Sequence, residues 1–204
     1  EKTMYLPKYH KESNLAVMHD LIRAYPLGTW VTQSTIGLTG NHLPFILDSE
    51  RGSHGTLRAH VSRANPVWRE LSTAEPSLIM FQGPQSYITP SWYPTKKDNG
   101  KVVPTWNYVA VHARGIPTVV QDDNWILKLL SDLTNQQESS KEEPWSVTDA
   151  PPEFIERLLK AVVGIEIVIT ELNGRWKLSQ DEELANRLGT VQGLLEQSES
   201  SSTS

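Results

Sequence analysis

Short stretches of alternating hydrophobic and polar residues dominate the chain, and turn residues separate them at close intervals. Residues 27–32 read as a strand, 34–37 as a turn, and 38–47 as a second strand interrupted at Pro44. Arg51-Gly52-Ser53-His54-Gly55 is a turn cluster and 56–61 a third strand. Segments 77–82, 86–89, 103–112 and 116–120 read as further strands, the last two joined through Gly115. Ile165, Ile167 and Ile169 alternate with Glu166, Val168 and Thr170; Asn173-Gly174 then predicts a type I′ turn, with Arg175–Leu178 returning as a hairpin. With no crossover helices between most of these strands, the pattern predicts a mainly β protein with α. It favours a closed or nearly closed antiparallel barrel over a parallel sheet.

Helical periodicity is confined to a few places. Ser13 or Asn14 caps a helix carrying Leu15, Met18, Leu21 and Ile22, ended by Pro26. Asn65-Pro66 starts a short helix. Ile126, Leu129, Leu130 and Leu133 share one face over 125–133, and 136–143 reads as a polar loop. Pro151-Pro152 opens a helix closed by Gly164. Ser179 and Glu182 form a capping box for a last helix carrying Leu184, Leu188, Val191 and Leu195. One domain over residues 4–196, with the hairpin and last helix at its C-terminal end, and a disordered serine-rich tail over 197–204, follow from this pattern.

Composition narrows the chemistry. The 204 residues include no cysteine, which excludes disulfides, thiolate metal sites and a cysteine nucleophile. No apolar run approaches the length of a membrane span, and no apolar signal region opens the chain, so the cytoplasm is the simplest expected location. The net charge of −5 means that DNA contact needs a local basic patch; Lys96, Lys97 and Lys101 are the candidates. Phosphate-binding glycine loops and a nucleophile elbow are absent. The six histidines form no metal-ligand pair at close spacing, so no metal is expected.

Two groups of residues carry candidate binding chemistry. Ser91-Trp92-Tyr93 and Thr105-Trp106-Asn107-Tyr108 flank a loop, and Pro90, Pro94 and Pro104 interrupt the strands beside them. Aromatic area with a polar edge suits a planar ring. A bulge at Pro104 is expected to break strict alternation and bring Asn107 to the ring with the aromatics. Arg58, His60, Ser62 and Arg63, followed by the Asn65 cap, combine cations, a hydroxyl and free helix N–H groups as a phosphate site would.

Taken in order, Met4-Tyr5-Leu6-Pro7, Asn41-His42-Leu43-Pro44, Gly55-Thr56-Leu57 through His60 to Asn65-Pro66, Pro90-Ser91-Trp92-Tyr93, Val103-Pro104-Thr105-Trp106-Asn107-Tyr108, Val163-Gly164-Ile165-Glu166 and Trp176-Lys177-Leu178-Ser179-Gln180 resemble the PaiB-type family of FMN-binding regulators. The resemblance implies a six-stranded antiparallel split barrel with peripheral helices, as in pyridoxine-phosphate oxidases. It also implies a homodimer with FMN at its interface, and a bacterial negative transcriptional regulator acting on DNA. FMN would place its phosphate near Arg58, His60, Ser62, Arg63 and Asn65. Its ring would lie against Trp92, Trp106 and Tyr108, with Ser91, Tyr93, Thr105 and Asn107 adjoining. Lys177, Ser179 and Gln180 would approach from the same subunit or its partner. The alternatives are a flavin-dependent oxidoreductase or flavin reductase, and a haem-binding or haem-degrading split barrel using His42, His60 or His112.

Overall fold

The structure is a computed structural model that describes residues 4–34, 37–71 and 75–202. Residues 35 and 36, in the turn expected after the first strand, lie outside the described residues. The chain falls into two compact units, each built from separate stretches. One contains Ser13–Phe81 and Val111–Asn173; the other contains Glu1–Glu12, Gln82–Ala110 and Gly174–Ser204.

The larger unit opens with α1 (Leu15–Ala24), capped by the Asn14 side chain, which accepts from Ala16 N, and buries Met18, Leu21 and Ile22. Strands β2 (Leu27–Ser34) and β3 (Gly37–Pro44) form a hairpin, and β2 also pairs with the start of β6 (Ser77–Ile88). A second antiparallel sheet has the order β4 (Ile46–Asp48), β5 (Thr56–Ser62), β9 (Val162–Val168) and β8 (Pro117–Val120). Helices α3 (Asp123–Glu138) and α4 (Pro152–Ala161) belong to the same unit. The smaller unit contains β1 (Lys11–Glu12) paired with β10 (Glu171–Lys177), the end of β6, the start of β7 (Thr105–Gly115), the one-turn α2 (Lys96–Asn99), and α5 (Leu184–Ser202). Strands β6, β7 and β10 each have residues in both units, and the six-stranded order is β1-β10-β7-β6-β2-β3. The expected mainly antiparallel fold with six strands and peripheral helices is therefore present. The six-stranded sheet is open, with β1 and β3 as its edges.

The core of the larger unit shows why these strands form. Leu57, Ala59 and Val61 alternate with half-buried polar residues on β5, and the buried Val163, Ile165 and Ile167 lie opposite them on β9. Trp30 is fully buried, so its indole N–H needs a partner. It donates to Ser77 Oγ at 2.9 Å, and Ser77 Oγ donates to the Gly115 carbonyl at 3.2 Å. Phe45 and Phe81 meet edge to face at 5.6 Å.

Five local expectations differ from what forms; the first is that Gly164 does not close α4, which ends at Ala161, but lies inside β9. Asn173-Gly174 makes no hairpin turn; both residues lie inside β10, and Gly174 pairs with Glu12. Buried Val163, Ile165 and Ile167 draw β9 onto β5 along seven register pairs, and burial on that scale outweighs the local turn preference of two residues. The separate strands expected at 77–82 and 86–89 are one strand, β6. Helix α3 extends to Glu138, past the start of the expected polar loop. Ser179 does not cap α5: its φ is 60° and its hydroxyl donates to Asn107. The serine-rich stretch falls partly outside the described residues, and 197–202 continue α5. Among the described residues no helix is long and apolar enough to cross a membrane.

Glycine is required at 164 for space. A Cβ there would lie 2.4 Å from a Trp125 ring carbon and 3.1 Å from the Val120 carbonyl oxygen, so α3 would have to lift from the sheet. Gly164→Ala is expected to lower stability by about 1–3 kcal/mol. A urea unfolding curve with a lower midpoint and an unchanged slope is the expected readout.

Candidate functional site

On β5, alternation places Arg58, His60 and Ser62 on one face, opposite the side that buries Leu57, Ala59 and Val61. The structure thus brings these three together, but commits the arginines elsewhere. Arg58 donates to Asp132 Oδ2 at 2.9 Å, and the same carboxylate accepts from Lys128. Arg63 donates from Nε to the Lys160 carbonyl, from Nη1 to Gln121 and from Nη2 to the Val162 carbonyl. Arg63 is thus held by the unit's own acceptors, while Arg58 keeps Nε buried with no hydrogen-bond partner among the described residues. Ser62 is exposed, and its hydroxyl accepts from Ala64 N.

Asn65 does act as the expected cap. Its Oδ1 accepts from Val67 N at 3.0 Å, which fixes its Nδ2 as a donor. That nitrogen donates to Asn41 Oδ1 at 2.8 Å. The network therefore orients the Asn41 amide, whose Nδ2 is buried with no hydrogen-bond partner among the described residues. Next to this pair is a small pocket of about 90 Å³, lined by the hydroxyl residues Thr32, Ser34 and Thr39 and by Asn65 and Glu70. Register places Asn41 and Thr39 opposite Trp30 and Thr32, on one face of the hairpin. Sequence reasoning used Asn41 only as part of a family motif; its unsatisfied amide becomes visible once the hairpin register and the Asn65 cap are known.

His60 makes no hydrogen bond among the described residues, and its Nδ1 is buried. Burial holds its imidazole below the ordinary histidine range. It lines a larger cavity of about 590 Å³ beneath α3.

The second group of expected residues lies in the smaller unit. Trp106 and Tyr108 share one face of β7, and Trp92 lies on the segment that packs against α5. Trp92 packs against α5, where a Cβ at Gly189 would lie 2.0 Å from its carbonyl oxygen and one at Gly193 only 2.2 Å from its ring. Trp106 is 54% exposed and meets Tyr87 edge to face at 5.8 Å. Tyr108 lies under the Arg175 guanidinium, 5.3 Å from the ring centre. Tyr93 is buried, and burial raises its hydroxyl's pKa, while Ser91 is exposed. Alternation runs uninterrupted from Trp106 to Gly115, so the bulge expected at Pro104 is not formed there. Asn107 consequently faces away from Trp106 and Tyr108, is buried, and accepts from Ser179 Oγ at 3.0 Å. The Lys177 ammonium donates to Thr105 Oγ1 and to the Trp106 carbonyl, and burial lowers its pKa. The Gln180 side chain closes on the Leu178 N–H and the Trp176 carbonyl.

These bonds generate two expectations. Asn107→Ala should destabilise the protein by about 1 kcal/mol through the lost Ser179 bond, seen as a lower thermal midpoint, while leaving FMN affinity unchanged. Burial works against ionisation of Asp132, but hydrogen bonds from Lys128 and Arg58 prevail and hold its pKa below the ordinary carboxylate value. The stability from this lowering is present above that ordinary value and is lost as pH falls through the folded one. Asp132→Asn should therefore cost about 1–2 kcal/mol at pH 7, and the gap to the unmodified protein should close as pH falls through the lowered carboxyl pKa in parallel denaturation curves.

Relatives place these features in a family. A family model described as "Putative FMN-binding domain" matches residues 4–171. An uncharacterised protein of Emericella nidulans is 34% identical, with 93% of this chain and 90% of that protein covered. The protein named protease synthase and sporulation protein PAI 2 of Bacillus subtilis is 31% identical, with 94% and 89% covered. Among solved structures, a flavocytochrome of Azotobacter vinelandii superposes with a TM-score of 0.63 at 12% identity, covering 86% of this chain and 74% of that one. A conserved Mycobacterium tuberculosis protein gives 0.61 at 9% identity, covering 88% and 94%. Relatives occur in both fungi and bacteria, so the resemblance does not fix a bacterial source. FMN is the cofactor the family assigns, and the chain belongs to this family of FMN-binding domains, built on the FMN split-barrel fold.

Proposed function

We propose that the protein binds FMN non-covalently as a two-fold dimer and uses it for redox conversion of a small molecule. The observation that carries the reading is the oriented Asn41–Asn65 amide pair, with its unpartnered donor, beside a pocket of hydroxyl residues. Neutral donors of this kind suit the polyol and pyrimidine edge of a flavin. Asn41, Asn65, Thr32 and Thr39 are the residues that would hold it. Bound FMN supplies hydride and single-electron transfer, so the chain's own task is to position the cofactor and shield it from water.

Two features support a second copy. A pocket of about 90 Å³ is too small to enclose FMN, since small-molecule sites span roughly 300–1,000 Å³. Separately, α5 leaves Leu184, Leu188, Val191 and Leu195 exposed at spacings of four, three and four, the seam spacing of a self-pairing helix. The PAI 2 name of one relative favours transcriptional regulation as a second reading. Against it, Lys96 and Lys97 sit on a four-residue helix, too short to act as a recognition helix in a DNA groove.

FMN titration followed by flavin fluorescence is expected to saturate, and Asn41→Ala should weaken binding by about 1–3 kcal/mol. Light scattering should return a dimer, with Leu188→Glu and Val191→Glu shifting it to monomer. Flavin-dependent NAD(P)H oxidation without DNA binding in a salt series supports the enzyme. A specific gel shift lost on Lys96→Ala and Lys97→Ala would instead establish the regulator.

A further inference from the structure

The sequence holds two Asn-Gly steps, Asn99-Gly100 and Asn173-Gly174, and the fold gives them opposite surroundings. Such a step is chemically special because glycine has no side chain to shield its backbone nitrogen. That nitrogen can attack the carboxamide of the preceding asparagine wherever the chain is free to bend.

Asn99 is the last residue of α2, and residues 96–101 are exposed throughout. Long bonds hold this single turn: Asn99 N donates to the Thr95 carbonyl at 3.3 Å, and Gly100 N to the Lys96 carbonyl at 3.2 Å. One exposed helical turn closed by such bonds opens readily in water. Gly100 follows at a φ of 66°, and a Cβ there would meet open space. Asn99 Oδ1 accepts from Lys101 N at 2.8 Å. That bond folds the carboxamide toward the following peptide and polarises its carbonyl for attack. Asn173 differs on each count. It lies inside β10, Gly174 pairs with Glu12 of β1, and Asn173 Nδ2 donates to Glu171 Oε1. A strand held in a ladder cannot bend locally without breaking its pairing.

We propose that Asn99 is a site of spontaneous deamidation and that β10 protects Asn173 from the same reaction. The Gly100 nitrogen bonds to Asn99 Cγ, the Cγ–Nδ2 bond breaks, and ammonia leaves with the proton given up by the Gly100 N–H. Water then opens the cyclic imide at either carbonyl. One opening leaves aspartate; the other leaves isoaspartate, whose main chain runs through the side-chain carbon. The step consumes water and needs no cofactor. Each conversion adds a negative charge to residues 96–101, which carry three lysines against one aspartate. The loop's attraction for polyanions therefore falls as the protein ages.

Peptide mapping by mass spectrometry, with isoaspartate separated from aspartate, tests the assignment on the full-length protein held in mildly alkaline buffer. Asn99 is expected to convert steadily to both products. Asn173 should convert at least about tenfold more slowly, the effect of only about 1.4 kcal/mol of strand opening. In urea sufficient to unfold the chain, the two sites should convert at similar rates. Gly100→Ala, which shields the nitrogen with a methyl group, should slow conversion at Asn99, and Asn99→Gln, which must close a larger ring, should stay intact over the same period. Asn99 remaining intact in the folded protein, equal rates at the two sites in the folded protein, or undiminished conversion in Gly100→Ala would each overturn the proposal. A difference between the sites that persisted in urea would overturn the protection assigned to β10.

Discussion

The close approach of Trp125 to the backbone at Gly164 is the constraint on which the larger unit's functional face depends. Strand β9 lies between β5 and β8, and its buried isoleucines fix it there. At Gly164 the missing side chain admits an indole ring into the layer above the sheet. With α3 seated by that ring, Asp132 comes within 2.9 Å of Arg58, and Leu130 and Leu133 come to roof the cavity beside His60. A methyl group at 164 would strain one contact and, through the helix, disturb the ion pair and the cavity.

The arginines of β5 and its exit illustrate a competition between binding and stability. A guanidinium with no acceptor in a half-buried site is costly, so nearby carbonyls and carboxylates satisfy it when the chain folds. Arg63 is tied to two backbone carbonyls and an amide, and Arg58 to a carboxylate. Their positive charge still acts at a distance; the Arg63 donors are committed to the fold, whereas Arg58 Nε is buried with no hydrogen-bond partner among the described residues. Besides that guanidinium nitrogen, this unit holds an oriented carboxamide, hydroxyl residues and an imidazole.

Helix α5 inverts the usual arrangement of an amphipathic helix. Its packed side carries Asn186, Thr190, Gly189 and Gly193, and its exposed side carries leucines and a valine. The glycines take the Trp92 backbone and ring at distances no side chain would allow, and Asn186 accepts from Thr95 Oγ1 at 2.9 Å. Close packing of small residues thus replaces apolar burial on the inner side. The apolar stripe is left exposed on the outer side.

By itself the sequence determined the antiparallel β character, α1 with its Asn14 cap, the Asn65 cap and most strand positions. Each rests on local chemistry: side-chain alternation, capping oxygens, and the fixed geometry of proline. It also carried the family, through motifs spread from Met4 to Gln180. Tertiary structure decided the rest. It placed Asn173-Gly174 inside a strand, because the neighbouring isoleucines gained more by joining β5 than the turn gained by closing a hairpin. Asn107 was turned inward, because a strand pairing without a bulge preserves strict alternation. The arginines found their partners in segments far along the chain, Asp132 for one and residues 121, 160 and 162 for the other. No local pattern encodes such choices, because each depends on which distant groups arrive at the same place and which of them is the better acceptor.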